Sequence, residues 1–99
     1  MAQFKRYGIT ATTTGETVYQ TPEGKTGLAI GLILANKSNL VQYASVDINS
    51  TFIVKDAPIP VGSTLSILDG KLAIQATETL TATASVDDAI DVTLTVLEL

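Results

Sequence analysis

Three stretches carry residue types that could do chemistry: the acidic run Asp87-Asp88-Ala89-Ile90-Asp91, the segment Gly24-Lys25-Thr26, and the tyrosines Tyr7, Tyr19 and Tyr43. The acidic run offers clustered carboxylate oxygens, the donor type Ca²⁺ takes from a loop. Its spacing matches no established calcium loop. A solvated turn accounts for it, since Asp bonds nearby backbone amides and tolerates turn dihedrals. Gly24-Lys25-Thr26 has the ending of a phosphate loop, but Tyr19 stands where that motif needs its first glycine. The tyrosines could stack on a sugar or anchor an interface; as isolated strand residues they fit cross-strand packing better. Asn36-Lys37-Ser38 and Asn49-Ser50-Thr51 match the glycosylation sequon and read here as polar turns.

The absences are more restrictive. The chain has no His and no Cys, which removes Ser-His-Asp triads, Cys-His dyads, ordinary zinc sites, haem attachment and disulfide redox chemistry. Two facing carboxylates would suffice for a glycosidase, but three tyrosines, two phenylalanines and no tryptophan are thin material for a sugar cleft. The expectation is a protein without enzymatic activity and without a cofactor or metal.

Elements that could position any site come next. At 99 residues the chain predicts one domain, spanning 1–99. Hydrophobic residues make up 45% and charged residues 16%, which leaves little polar material to cover a small surface. A compact, Thr-covered monomer could manage this; burial against further copies is the preferred expectation, and oligomerisation would also replace the missing disulfide staples. Net charge is −4, with Lys5, Arg6, Lys25, Lys37, Lys55 and Lys71 scattered, so nucleic acid is not an expected partner. The segment Met1–Tyr7 lacks an apolar core behind its cations and predicts no signal peptide, hence synthesis in the cytoplasm. The longest apolar run, Leu28 to Ala35, is too short to span a bilayer.

Alternation and turn residues predict about eight short strands: Phe4–Thr12, Glu16–Thr21, Thr26–Asn36, Val41–Asn49, Thr51–Lys55, two strands around Asp69-Gly70, Thr79–Ser85 and Ile90–Leu99. Thr21-Pro22-Glu23-Gly24-Lys25 reads as a turn, with Pro22 presetting φ and Gly24 supplying a permissive backbone. Asp56–Ser63, with two prolines, reads as a crossover loop. Asp69-Gly70 predicts a type I′ hairpin pairing Ile67 with Leu72 and Leu65 with Ile74, all on one face. The fold class is therefore all-β: an antiparallel β-sandwich, jelly-roll-like.

The strand Thr26–Asn36 is apolar on both sides. Leu28, Ile30, Leu32 and Leu34 are expected on one face and Ala29, Gly31, Ile33 and Ala35 on the other. A helix over Lys25–Lys37 is the alternative, opposed by Gly27, Gly31 and the flanking turns. With a strand, Ala29, Gly31, Ile33 and Ala35 become the expected interface residues.

The segment Tyr19-Gln20-Thr21-Pro22-Glu23-Gly24-Lys25-Thr26, running into Leu28–Ser38, resembles small structural proteins of tailed bacteriophages, as do Pro60–Leu65, Thr77–Leu80 and Ile90–Leu94. Those proteins often carry V-Y-T-V-P-A-G-K-T, then an apolar strand and A-N-x-S. Glu78 departs from their usual Asp, and Val18–Thr21 matches only approximately. The resemblance implies a virion component: a capsid decoration or cement protein stabilising the head, or a neck or tail accessory protein. Its implied partners are further copies of itself, in a trimer or ring, and neighbours such as the major capsid protein, with neither nucleic acid nor membrane. No catalytic residue is carried over. A carbohydrate- or host-binding module on a particle surface is the alternative from a different class, motivated by the tyrosines and Thr-rich loops.

Overall fold

The computed structural model describes residues 2–68 and 70–99. Nine strands follow one another: β1 (Gln3–Thr10), β2 (Glu16–Gln20), β3 (Gly27–Asn36), β4 (Gln42–Ile48), β5 (Thr51–Ile59), β6 (Thr64–Ser66), β7 (Leu72–Ile74), β8 (Thr79–Ala84) and β9 (Ile90–Glu98). There is no helix among the described residues. The expected all-β sandwich is what forms.

One sheet has the order β1-β9-β3, with β6 and β7 both on the far edge of β3; the other runs β2-β8-β4-β5. The first strand thus pairs with the last, the second with the last but one, and β4 with β5 at the centre of the nest. This is a long antiparallel hairpin rolled up on itself, the jelly-roll arrangement, with β6 and β7 together serving as one strand. The two inner faces meet in one core: Leu32, Leu34, Ile90, Val92, Leu94 and Val96 come from the first sheet, and Val18, Ala44, Val46, Leu80, Ala82 and Ala84 from the second. Strict alternation produces this. In β8 every second residue, Leu80, Ala82 and Ala84, is buried, and in β9 the inward series runs from Ile90 through Val96 to Glu98.

Three expectations need correction. First, the flanks of Asp69-Gly70 do not pair with each other: Leu65 lies opposite Leu34, and Leu72 opposite Ala29. Asp69 itself lies outside the described residues. The chain runs on along the edge of β3, and the Ile67 amide donates to the Leu32 carbonyl at 3.0 Å. Leu65, Ile67, Leu72 and Ile74 do share the inward face, as alternation predicts, but against a different partner strand. The open edge of β3 lets them bury against the core, which a free hairpin would not. Second, Asp56–Ile59 continues β5, Pro58 lying opposite Tyr43. Proline is tolerated because β5 is the outermost strand of its sheet. The positive φ of Asp56 (51°) and a register shift past Ser45 bend the strand there, with the Asp56 amide donating to Ser45 Oγ at 2.9 Å.

Third, a register shift between Ala29 and Gly31 leaves Ile30 as an extra residue in β3. An inserted residue reverses which positions face inward. Gly27 and Ala29 are inward before the bulge, and Leu32 and Leu34 after it; Leu28 and Ile30 therefore leave the face expected for them. The inward position 27 holds a glycine for a steric reason. A Cβ there would lie 2.9 Å from Tyr19 Cε2 and 3.0 Å from both Tyr19 Oη and Thr21 Oγ1.

Candidate functional site

The candidate chemical residues disperse. Asp91 takes the Lys37 ammonium at 3.0 Å and the Thr10 hydroxyl at 2.8 Å, and both hold its carboxyl below the usual aspartate range, Lys37 foremost. Asp87 accepts the Thr13 amide at 2.7 Å, so the acidic run is divided between a loop contact and a strand. Among the described residues no three His, Cys, Asp or Glu side chains converge as a metal site, and no pocket opens. Gly24-Lys25 forms a tight turn, the Lys25 amide donating to the Pro22 carbonyl at 3.2 Å, with Gly24 at φ 79°.

A buried polar cluster that includes an ion pair lies where β1, β2 and β9 meet. Glu98, 1% exposed, continues the inward series of β9. Tyr19 Oη donates to its Oε2 at 2.6 Å, and Lys5 Nζ lies 3.0 Å from its Oε1. Tyr7 packs on Tyr19 with ring centroids 5.1 Å apart. Hydrogen bonds from Tyr19 and Lys5 hold the Glu98 carboxyl below the usual glutamate range. Burial, then the bond to Glu98, pushes the Tyr19 phenol up to about 12, and Glu98 raises Lys5. A neutral phenol and a fixed ion pair give no acid or base poised near neutrality; the cluster ties the first and last strands to the opposite sheet. The alternation of β9 that places Ile90, Val92, Leu94 and Val96 inward reaches Glu98 at its next step.

Two exposed apolar surfaces remain. On the outer face of the first sheet, Phe4, Leu97, Leu28 and Ala73 stand side by side across four strands. Gly8, Thr93, Ile33 and Ser66 form another such row. Of the four expected interface residues, Gly31, Ile33 and Ala35 belong to this face, with Ile33 44% exposed. Ala29 does not: the bulge turns it into the core. Arg6 and Asp91 are the charged side chains on the outward positions of these strands. The outward roles of Phe4 and Leu97 depend on β1 pairing with β9 across the length of the chain, which local alternation does not reveal.

The second surface is the end of the sandwich where loops 37–41, 60–63 and 85–89 come together, and it was not foreseen. Leu40, Val41, Val61 and Val86 are all exposed there, Leu40 at 69%. Buried polar groups hold these loops in place. The Asn36 amide donates to the carbonyls of Leu40 (2.8 Å) and Ile59 (2.9 Å), and its oxygen accepts from the Ser38 amide and hydroxyl. Gln42 Nε2 donates to Ser38 Oγ, and Gln42 Oε1 accepts from Ser85 Oγ at 2.6 Å. The tip is therefore a fixed surface with aliphatic side chains turned to solvent. Aliphatic residues inside polar turns, Asn39-Leu40-Val41 and Ser85-Val86-Asp87, were the available signal. Comparison of the chain with models of known protein families and with curated proteins finds no match.

Proposed function

We propose that this protein is a structural component of a tailed-phage virion, most directly a capsid decoration or cement protein that works by fitting among copies and neighbours rather than by catalysis. The observation that carries the reading is the outer face of the first sheet. There Phe4, Leu28, Leu97, Ile30 and Ile33 lie among Gly, Ala, Ser and Thr. An apolar face with small side chains permits close approach of another surface, and an apolar patch rimmed by polar residues marks an interaction site. The resemblance of Tyr19–Ser38 and Pro60–Leu65 to small phage structural proteins supplies the setting. The mixed character of the buried groups agrees with it: every titratable side chain inside is engaged in holding strands together.

The test is mass spectrometry of purified particles from the host that produces the protein, with copy number. Many copies per particle are expected for a head protein. A single small ring would move the role to the neck or tail, and absence from particles would refute the reading.

A further inference from the structure

We infer that copies of this chain associate head to tail, the aliphatic tip of one molecule seating against the Phe4–Arg6 end of the outer sheet face of the next. The contact takes its setting from the assembly reading above but is argued from different features. The tip joins Leu40, Val41, Val61 and Val86 to Asp87 and Asp88, both exposed. The nearest cation on the adjoining strand and loop, Lys37, is held by Asp91. Two tips meeting about a two-fold axis would bring Asp87 and Asp88 of both copies together, a like-charge arrangement that opposes pairing. The part of the outer sheet face away from the tip, from the Phe4–Leu97–Leu28 row to Arg6 opposite Thr95 at mid-sheet, has the complementary composition. Phe4, 69% exposed, lies beside Leu97 and Leu28, and Arg6, also exposed, makes no ion pair among the described residues. That end too repels its own copy, Arg6 against Arg6, and suits an apolar partner with carboxylates. The tip is that partner.

A contact between different surfaces closes into a ring or extends as a filament, according to the rotation between copies. Its small size argues for a weak contact, with packing and charge complementarity setting the rest. The molecule measures 42 × 21 × 19 Å, so an end-on contact covers about 400 Å² per partner, or about 800 Å² in total, the size of a weak interface. Association is then expected at tens to hundreds of micromolar, roughly −5 to −7 kcal/mol, and becomes effective where copies are held close together, as on a particle.

Sedimentation equilibrium from about 10 μM to about 1 mM tests this range. Three proteins are compared: wild type, a tip variant (Leu40→Ser/Val86→Ser) and an end variant (Phe4→Ser/Arg6→Glu). All four positions are exposed, and unchanged circular dichroism and urea midpoints verify folding. Wild type is expected to associate reversibly and each variant to stay monomeric. A mixture of the two variants retains one good tip and one good end, so it must form a one-to-one dimer and nothing larger. A monomeric wild type, a variant that associates as wild type does, or a mixture that stays monomeric or grows beyond the dimer overturns the inference. Binding to particles, measured separately, distinguishes the two readings: incorporation without self-association refutes this contact and leaves the virion role standing.

Discussion

Replacing Tyr19 with Phe removes a single oxygen from the cluster that joins β1, β2 and β9. The lost bond, 2.6 Å from Oη to Glu98 Oε2, is made to an ionised group that is 1% exposed. Hydrogen bonds to charged groups contribute about 1.5–3 kcal/mol. Lys5 remains on Oε1 but is itself partly exposed, so water reaches the pair from that side, and about 2 kcal/mol is the expected loss. For a domain of this size that lowers Tm by roughly 8–16 °C. In urea the midpoint falls while the slope with denaturant stays constant, since the surface exposed on unfolding is unchanged. The pH dependence gives a second check. Glu98 is held below its ordinary value of 4.5, with the Tyr19 bond the largest cause. A carboxylate whose pKa is depressed by folding contributes stability that is complete above the unfolded value and is lost as pH falls through the folded one. The difference between wild type and Tyr19→Phe is therefore full at pH 7 and shrinks below about pH 4.5. In the opposite direction, the phenol of Tyr19 is raised to about 12, so the stability it contributes is complete below about pH 10 and is lost toward pH 12. The variant should also lack the tyrosinate absorbance step near that value. A Tm within about 2 °C of wild type, or a difference that does not shrink as acid protonates Glu98, would refute the role given to this bond.

Two further substitutions probe the scaffold. Gly27→Ala forces a Cβ to within 2.9 Å of Tyr19 Cε2 and should cost about 1–3 kcal/mol by overpacking. Gly31→Ala, whose Cβ would meet only Thr95 Cβ at 3.9 Å, should change stability by less than about 0.5 kcal/mol; equal urea midpoints for the two would contradict the packing described. Asn36→Ala removes the donor shared by the Leu40 and Ile59 carbonyls and should cost about 1–3 kcal/mol, with amide exchange rising in 37–41 and 60–63 before the strands; uniform protection would show that Asn36 does not organise the tip.

How far the sequence alone reaches is clearest in β9 and β3. In β9 nothing interrupts the alternation, so its inward residues are legible one by one, including the Glu98 position that parity dictates. In β3 a single extra residue, Ile30, reverses the phase, and nothing in Leu28–Ala35 distinguishes a bulge from regular pleating when both faces are apolar. That reversal is why Ala29 is in the core while Leu28 lies outward. Asp69-Gly70 shows the limit of local turn chemistry: the inward positions of Leu65, Ile67, Leu72 and Ile74 follow from alternation, but their partner is β3, 31 residues away for Leu65 and 47 for Ile74. The tip was invisible for a related reason. Its four aliphatic residues come from three loops, Leu40 and Val41 sharing one, and bonds such as those made by Asn36, Gln42 and Ser85 bring them together.

On the proposed reading the outer face of the first sheet meets another protein surface, and binding of purified protein to tailed-phage particles that lack it measures this most directly. The account predicts saturable binding with many sites per particle, weakened at least tenfold by Ile33→Asp, a 44%-exposed position where the change should leave the urea midpoint of the isolated domain within about 0.5 kcal/mol of wild type. No binding, or equal binding by Ile33→Asp, would contradict it.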